Sequence, residues 1–457
     1  MIDYSLLLAI VLGIAVLLFL ILRCKLQAFI ALLISSIIVG IASGMHPMDL
    51  ISAIQQGMAS TLGFVAVVVG LGAMFGAMLE HSGGAEALAQ FLLKLFGEKR
   101  ASWAVMITGF VVAIPVFFDV AFIILVPVIY SLQRKSGKSL LLYAIPLLAG
   151  LAITHSFIPP TPGPVAVADI LKADLGWVIV FGFAVGVPTA IVCGPLFGKY
   201  IGSRLDIKAP GFTETASKVR ENQPSVGLIL AIIGFPILLI VMNTLSTYVF
   251  VDSSGDRNEL ISWIKFVGHP FTALILANLL AWYFLGIQRK VELKKLMDIS
   301  TFSMEKAGII ILLTGAGGVF KQVLIDTGAG VMMADAFAKA DWGMLLLGYA
   351  TAVIVRLLQG SATVAMITAA GILASVLYPD SGGSLDTLQV SAPELALLVI
   401  AIASGASIFS HVNDSGFWLV GKYLGLNEAQ TLKSWSVMTT LLSISGFASV
   451  CLLSLFL

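Results

Sequence analysis

Charge is what this chain has least of. Asp, Glu, Lys and Arg supply 11% of its 457 residues, where a soluble domain spends about a quarter. With 59% hydrophobic residues and a mean hydropathy of +1.03, it carries more apolar surface than a soluble interior can hide. Its solvent is therefore lipid. Cysteine is also scarce. Cys24, Cys193 and Cys451 are scattered and read as small apolar residues. The His and Cys residues never fall at ligand spacing, so no metal site is expected. No Walker A motif occurs, which argues against direct ATP drive, and no cofactor is implied. A net charge of +1 gives no field for nucleic acid. The first apolar run, 5–22, follows Asp3 rather than a basic region and lacks a small-residue cleavage site, so it reads as a retained span.

What is present is one apolar run after another, near 5–22, 26–43, 57–79, 139–155, 176–198, 225–250, 262–287, 307–325, 389–409 and 432–457. A crossing helix needs about 20 such residues. Two further stretches, 101–132 and 342–377, break midway, at Ile114-Pro115 and at Gln359-Gly360-Ser361. Each is too long for one helix and short for two, which predicts re-entrant helical hairpins. Cytoplasmic loops carry excess Lys and Arg. Arg23 and Lys25, then Lys94, Lys99 and Arg100, then Arg134, Lys135 and Lys138 mark inside positions, as do Lys199 through Arg220 and Arg289 through Lys295. Both ends of the first broken stretch are then inside. The second is flanked by Asp341, Asp380 and Asp386, which places both its ends outside.

Hairpins entering from opposite faces predict an inverted repeat, with both termini external. Gly70-Leu-Gly-Ala-Met-Phe75 resembles Gly315-Ala-Gly-Gly-Val-Phe320, and Phe117-Phe-Asp-Val-Ala121 aligns with Ser361-Ala-Thr-Val-Ala365. The expected fold is an all-α polytopic membrane protein. A first inverted repeat covers 1–205 with its hairpin near 101–133. A cytoplasmic linker covers 206–224. A second repeat covers 225–457 with its hairpin near 342–377. Each repeat holds one re-entrant hairpin and one broken transmembrane helix. Such paired interrupted helices are characteristic of secondary transporters.

Four stretches put polar groups where hydrocarbon should be: Ile114 to Asp119, His155 to Pro164, Arg356 to Thr363, and Ser410 to Gly416. Helix starts at such breaks point partial positive charge inward, which suits an anion. Asp119 is the candidate proton carrier, since a carboxylate at mid-membrane costs roughly 2.5–3.5 kcal/mol; the bland reading is an ion pair or a helix cap. Arg356 either clamps a substrate carboxylate or pairs with Asp119 or Asp414. Ser361 and Thr363, with the Gly360 turn, offer hydroxyls to substrate, although small polar residues also serve close packing. Asn413 is a candidate for substrate binding and Asp414 for proton coupling. Thr161 and the Gly163 backbone are weaker candidates for substrate. His155 and His411 sit at corresponding breaks and are either proton relays or structural hydrogen-bonding groups. His46, His81 and His269 lie near predicted membrane edges and are assigned no role.

Gly70-Leu-Gly-Ala-Met, Pro115-Val-Phe-Phe-Asp119, His155 with Pro159-Pro160 and Pro162-Gly163-Pro164, Gly360-Ser-Ala-Thr-Val-Ala365, and Ser410-His-Val-Asn-Asp414 with Gly416-Phe-Trp418 occur in this order. Together they resemble the gluconate:proton symporter (GntP) family of the ion-transporter superfamily. The resemblance implies uptake of gluconate or a related small hydroxy-carboxylate, proton coupling, a homodimer, and a scaffold-plus-moving-domain design in a bacterial inner membrane. Asp119 and Thr161 depart from the family pattern, where Glu and His are common. Glycerate, fructuronate and D-serine stay open as substrates. Rival readings are a sodium-coupled carboxylate carrier and, from another class, an anion channel. An intramembrane enzyme lacks a nucleophile–base pair.

Overall fold

The computed structural model describes residues 4–210, 223–249, 259–328, 343–378, 390–412 and 414–457. All regular structure among them is helical. The chain opens with α1 (Tyr4–Leu22), α2 (Ala28–Ala42), the long α3 (Pro47–Ser82) and α4 (Gly84–Phe96). The first broken stretch follows as α5 (Ala101–Val112) and α6 (Phe118–Ser136), then α7 (Leu141–Phe157) and α8 (Pro162–Ile170). A π turn joins α9 (Leu175–Ile191) to α10 (Phe197–Arg204). Next come α11 (Val226–Val249), α12 (Glu259–Gly268), α13 (Pro270–Ala281) and the long α14 (Leu293–Asp326). The second broken stretch is α15 (Met344–Gln359) and α16 (Ala362–Leu377). The chain closes with α17 (Ala392–Ala406), α18 (Ser415–Leu424), α19 (Glu428–Thr431) and α20 (Val437–Ser454). Among the described residues, seven helical stretches are long and apolar enough to cross a membrane, with α7–α8 and α9–α10 each counted through its break. This is a multi-pass membrane protein.

The breaks lie where proline and glycine put them. Pro115 has no backbone N–H to continue α5, and the chain turns through Ala113–Phe117 before α6 starts. Gly360 takes a left-handed conformation, φ +90°, which an L side chain resists. Ser361 then caps α16 by accepting the Val364 N–H at 3.4 Å. Three of the four arms are short: α5 has 12 residues, α15 and α16 have 16 each. At 1.5 Å per residue they rise about 18–24 Å, less than the roughly 30 Å hydrocarbon core; α6, with 19 residues, rises about 28 Å.

The longest helices exceed what the apolar runs 57–79 and 307–325 suggest. α3 has 36 residues and α14 has 34. Their polar first turns are helical too. His46 starts α3 by accepting the Met48 N–H on its Nδ1 (3.4 Å), with Pro47 in the first turn. His269 starts α13 in the same way, accepting from Phe271 N–H at 3.3 Å ahead of Pro270. Two of the unassigned histidines are therefore helix caps.

Packing repeats between the halves. α3 lies along α14 at the centre, with α13 beside α3 and α2 beside α14. α5 lies along α7 as α15 lies along α17. Glycines permit both of the last two contacts: a Cβ at Gly150 would strike the Met106 carbonyl and one at Gly109 the Leu147 carbonyl, and one at Gly405 would strike the Tyr349 carbonyl.

The first residues beyond α10 are bound in place. Leu140 N–H donates to Ile207 O (2.7 Å) and Ser139 Oγ to Leu205 O (2.6 Å). Lys208 Nζ donates to Gly137 O (3.0 Å) and Ala209 N–H to Gln133 Oε1 (3.2 Å). This strap, residues 205–210, holds the turn between α6 and α7. Pro210 also lies beside Gly425, at the end of α18.

Candidate functional site

Three helices begin in the wall of one cavity of about 820 Å³: α6 at Phe118, α16 at Ala362 and α18 at Ser415. Small-molecule sites run about 300–1,000 Å³. Each helix start presents unpaired N–H groups and the positive end of a dipole, so the wall favours an anion. The cavity joins both broken stretches to both interrupted crossings. Phe117, Phe118 and Asp119 come from the first break, and Arg356, Gln359, Gly360, Ser361 and Thr363 from the second. Ala152, His155 and Ser156 come from α7, and Ser407, Asp414 and Gly416 from the break after α17.

Asp119 sits in the first turn of α6, exposed to this cavity. It has no hydrogen bond or ion pair to any described residue. Arg356 is its opposite. It is 4% exposed, and Nη2 meets Asp414 Oδ2 at 2.6 Å. Nη1 donates to the Gly360 carbonyl and Nε to Ile408 O at 3.3 Å. Asp414 is equally occupied. Oδ1 caps α18 by accepting Gly416 N–H at 3.0 Å, and Oδ2 accepts from Ser410 Oγ as well as Arg356. Of the two readings of Arg356, pairing with Asp414 is the one observed. Three of its five N–H groups are engaged, and the side chain forms part of the cavity wall.

Two buried polar atoms in the wall have no hydrogen-bond partner among the described residues: His155 Nδ1 and Gln359 Oε1. Leaving such an atom unsatisfied costs about 1–3 kcal/mol. Among the described residues no three His, Cys, Asp or Glu side chains gather into a metal set.

Of the residues singled out from sequence, Asp119, His155, Arg356, Gly360, Ser361, Thr363 and Asp414 come together here. Three others do not line the cavity. Thr161 is 4% exposed and donates to Ile158 O at 2.6 Å. Gly163 packs on Met366, whose methyl lies 2.8 Å from where a Cβ would be. His411 Nε2 meets Leu357 O at 3.2 Å, outside the wall. Asn413 lies outside the described residues.

Sequence reasoning passed over Gln359, Ser156, Ser407, Trp435 and Thr439. Ser407 Oγ bonds Ser156 Oγ at 3.1 Å, joining the two interrupted crossings. Trp435 Nε1 donates to Ser410 Oγ at 2.6 Å, and Ser410 N–H donates to Thr439 Oγ1 at 3.0 Å. Gln359 and Ser156 lay inside the polar stretches and were legible. Trp435 and Thr439 come from an unbroken apolar run and carry no signal of their own.

Residues 5–456 match the family described as GntP family permease. A low-affinity gluconate transporter of Escherichia coli K12 is 40% identical over 435 residues, 95% of each chain. A gluconate permease of Pseudomonas aeruginosa is 38% identical over 459 residues, covering 100% of this chain and 99% of the relative. The Gnt-II system L-idonate transporter of Escherichia coli K12 is 37% identical, with 96% of each covered. Among solved structures, the YdaH transporter of Alcanivorax borkumensis, reported with an unusual topology, aligns at TM-score 0.62 over 90% of each chain with 14% identity, a likeness of fold alone. The chain belongs to the GntP family of permeases, membrane transporters rather than enzymes.

Proposed function

We propose that this permease is a secondary active transporter that couples proton entry to uptake of gluconate or a related small hydroxy-carboxylate across a bacterial inner membrane. The observation that carries this reading is the single cavity where three helix starts, an unpartnered Asp119 and a half-engaged Arg356 converge. The helix starts and the Arg356 guanidinium suit a carboxylate. Ser361 and Thr363, in the same wall, suit hydroxyls. Asp119 carries the proton. Asp414 fixes Arg356, and its coupling role is indirect. Relatives named for gluconate and L-idonate point to the same substrate class.

The short arms, the opposite charge at their ends and the recurring helix pairs support two re-entrant hairpins in an inverted repeat. Alternating access then follows from movement of the hairpins and interrupted crossings against the remaining helices. Family resemblance adds a homodimer. Purified protein in proteoliposomes tests the reading. An imposed proton gradient should drive accumulation of labelled gluconate, collapsed by a protonophore and competed by L-idonate. Accumulation driven by sodium alone would replace proton with sodium. Flux that never exceeds equilibrium, without counterflow, would make the protein a channel.

A further inference from the structure

A second hollow, of about 280 Å³, lies on the other side of the first break. Its walls are the end of α3 (Glu80, His81), the first turn of α4 (Glu86), Pro115 to Phe117 with Val120, and Ser303 of α14. Two of these segments run to basic stretches: Lys94, Lys99 and Arg100 lie at or beyond the end of α4, and Arg289 to Lys295 precede and open α14. By the charge rule this is the cytoplasmic side.

Phe117 and Val120 line both hollows. The cavity that holds Asp119 and the hollow that holds Glu86 therefore share two wall side chains, an aromatic ring and an isopropyl group. The partition rests on α3 at Gly76, where a Cβ would strike the Pro115 carbonyl. The Phe117 ring also stands edge-on to His155, centroids 6.4 Å apart.

Glu86 is the unusual group in the second hollow. Its Oε2 is shielded from solvent and has no hydrogen-bond partner among the described residues. A Glu in a helix's first turn is favoured by the dipole, but that gives Oε2 no donor. A shielded oxygen without a donor costs about 1–3 kcal/mol, so the geometry leaves a place for a donor to join it. The titratable groups facing it are Glu80 and His81 of α3; α6 and α14 add none among the lining residues. The nearest acid beyond the partition is Asp119, in the adjoining cavity.

We propose that Glu86, with His81 and Glu80 beside it, is the proton-release station of the transport cycle. The proposal rests on the proton-coupled reading above. Asp119 gives up its proton, which crosses beside Phe117 and Val120 to the Glu86 carboxylate. From there it passes by way of His81 and Glu80 to the cytoplasm, and both acids return to carboxylate. One proton moves, and no bond to substrate forms or breaks.

The test uses the reconstituted full chain and labelled gluconate. With wild-type protein, a proton gradient should drive accumulation. Glu86→Gln should cut that accumulation by about tenfold or more, the scale of a lost proton-transfer group. Gluconate counterflow at equal pH on both sides should persist in the same variant. Glu86→Asp should restore much of the accumulation, with a displaced dependence on internal pH. Wild-type accumulation and an unchanged pH profile in Glu86→Gln would overturn the proposal. So would equal loss of counterflow and accumulation in Glu86→Gln, without rescue by Asp, because that pattern marks a structural residue. If the wild type itself accumulates gluconate on sodium alone, the coupling reading falls, and the station with it.

Discussion

The two breaks occupy matching places in the chain, yet they are built from opposite materials. The first, Pro115 to Asp119, is proline, aromatic rings and one acid. Its contacts are packing contacts, among them Phe117 against His155 and Phe118 against Trp435, centroids 6.4 and 5.6 Å apart. Its carboxylate has no partner. The second, Arg356 to Thr363, is glycine, hydroxyls and a guanidinium tied to Gly360, Ile408 and Asp414. An arginine does not give up its proton, and one held this way does not move without breaking a buried pair. An unpartnered acid changes charge with little structural cost. On the proposed reading, the first break is the one that titrates and the second the one that grips.

The comparison fails if the roles can be exchanged. Asp119→Asn should lower uphill uptake by about a hundredfold or more, on the scale of general acid–base groups, while thermal unfolding in detergent stays unchanged. If Asp119→Asn melted early, the first break would be structural after all. Arg356→Ala should destabilise by about 3–5 kcal/mol, because Asp414 would be left buried and unpaired. Denaturant unfolding measures this, and Arg356→Lys should recover little of the loss, since an ammonium cannot copy the planar fork. Ser361→Ala removes a helix cap worth about 1 kcal/mol and should raise the KM for gluconate several-fold; an unchanged KM would take the hydroxyl out of the site. The smallest effect is expected at the base of the first hairpin, where Lys135 Nζ meets Glu98 at 2.6 Å in full solvent. Lys135 holds the Glu98 carboxyl below its usual range, yet exposed pairs add little. Glu98→Gln should leave uptake and unfolding indistinguishable from wild type.

Much of this was legible in sequence, because the physics of a break is local. Pro115, the prolines from 159 to 164, and Gly360 end helices without help from distant residues, so the interruptions were placed before any coordinates. Charge at loop ends is equally local, and it is what the expected side of each segment rests on. The lengths of α3 and α14 were not legible. Their outer turns are too polar for a hydropathy window; α3 starts on the His46 cap, and the two helices pack along each other. Thr161 and Gly163 carried the same proline signal as the true lining residues, and only packing against Ile158 and Met366 tells them apart. The choice between two readings of Arg356 needed the position of Asp414, which is 58 residues away in the chain. Trp435 and Thr439 reach the site by tertiary contact from a helix that sequence marks only as apolar.

The strap at 205–210 bears on how far the proposed moving parts could travel. Its hydrogen bonds to the turn after α6, and Pro210 against Gly425, pin the chain as far as residue 210. From 211 to 222, a stretch of that length spans at most about 43 Å, at 3.3–3.6 Å per residue. The pinned end belongs to the turn between α6 and α7. Deleting residues from 211 to 222 should progressively restrict the stroke of the transporter, whereas lengthening that span should be tolerated.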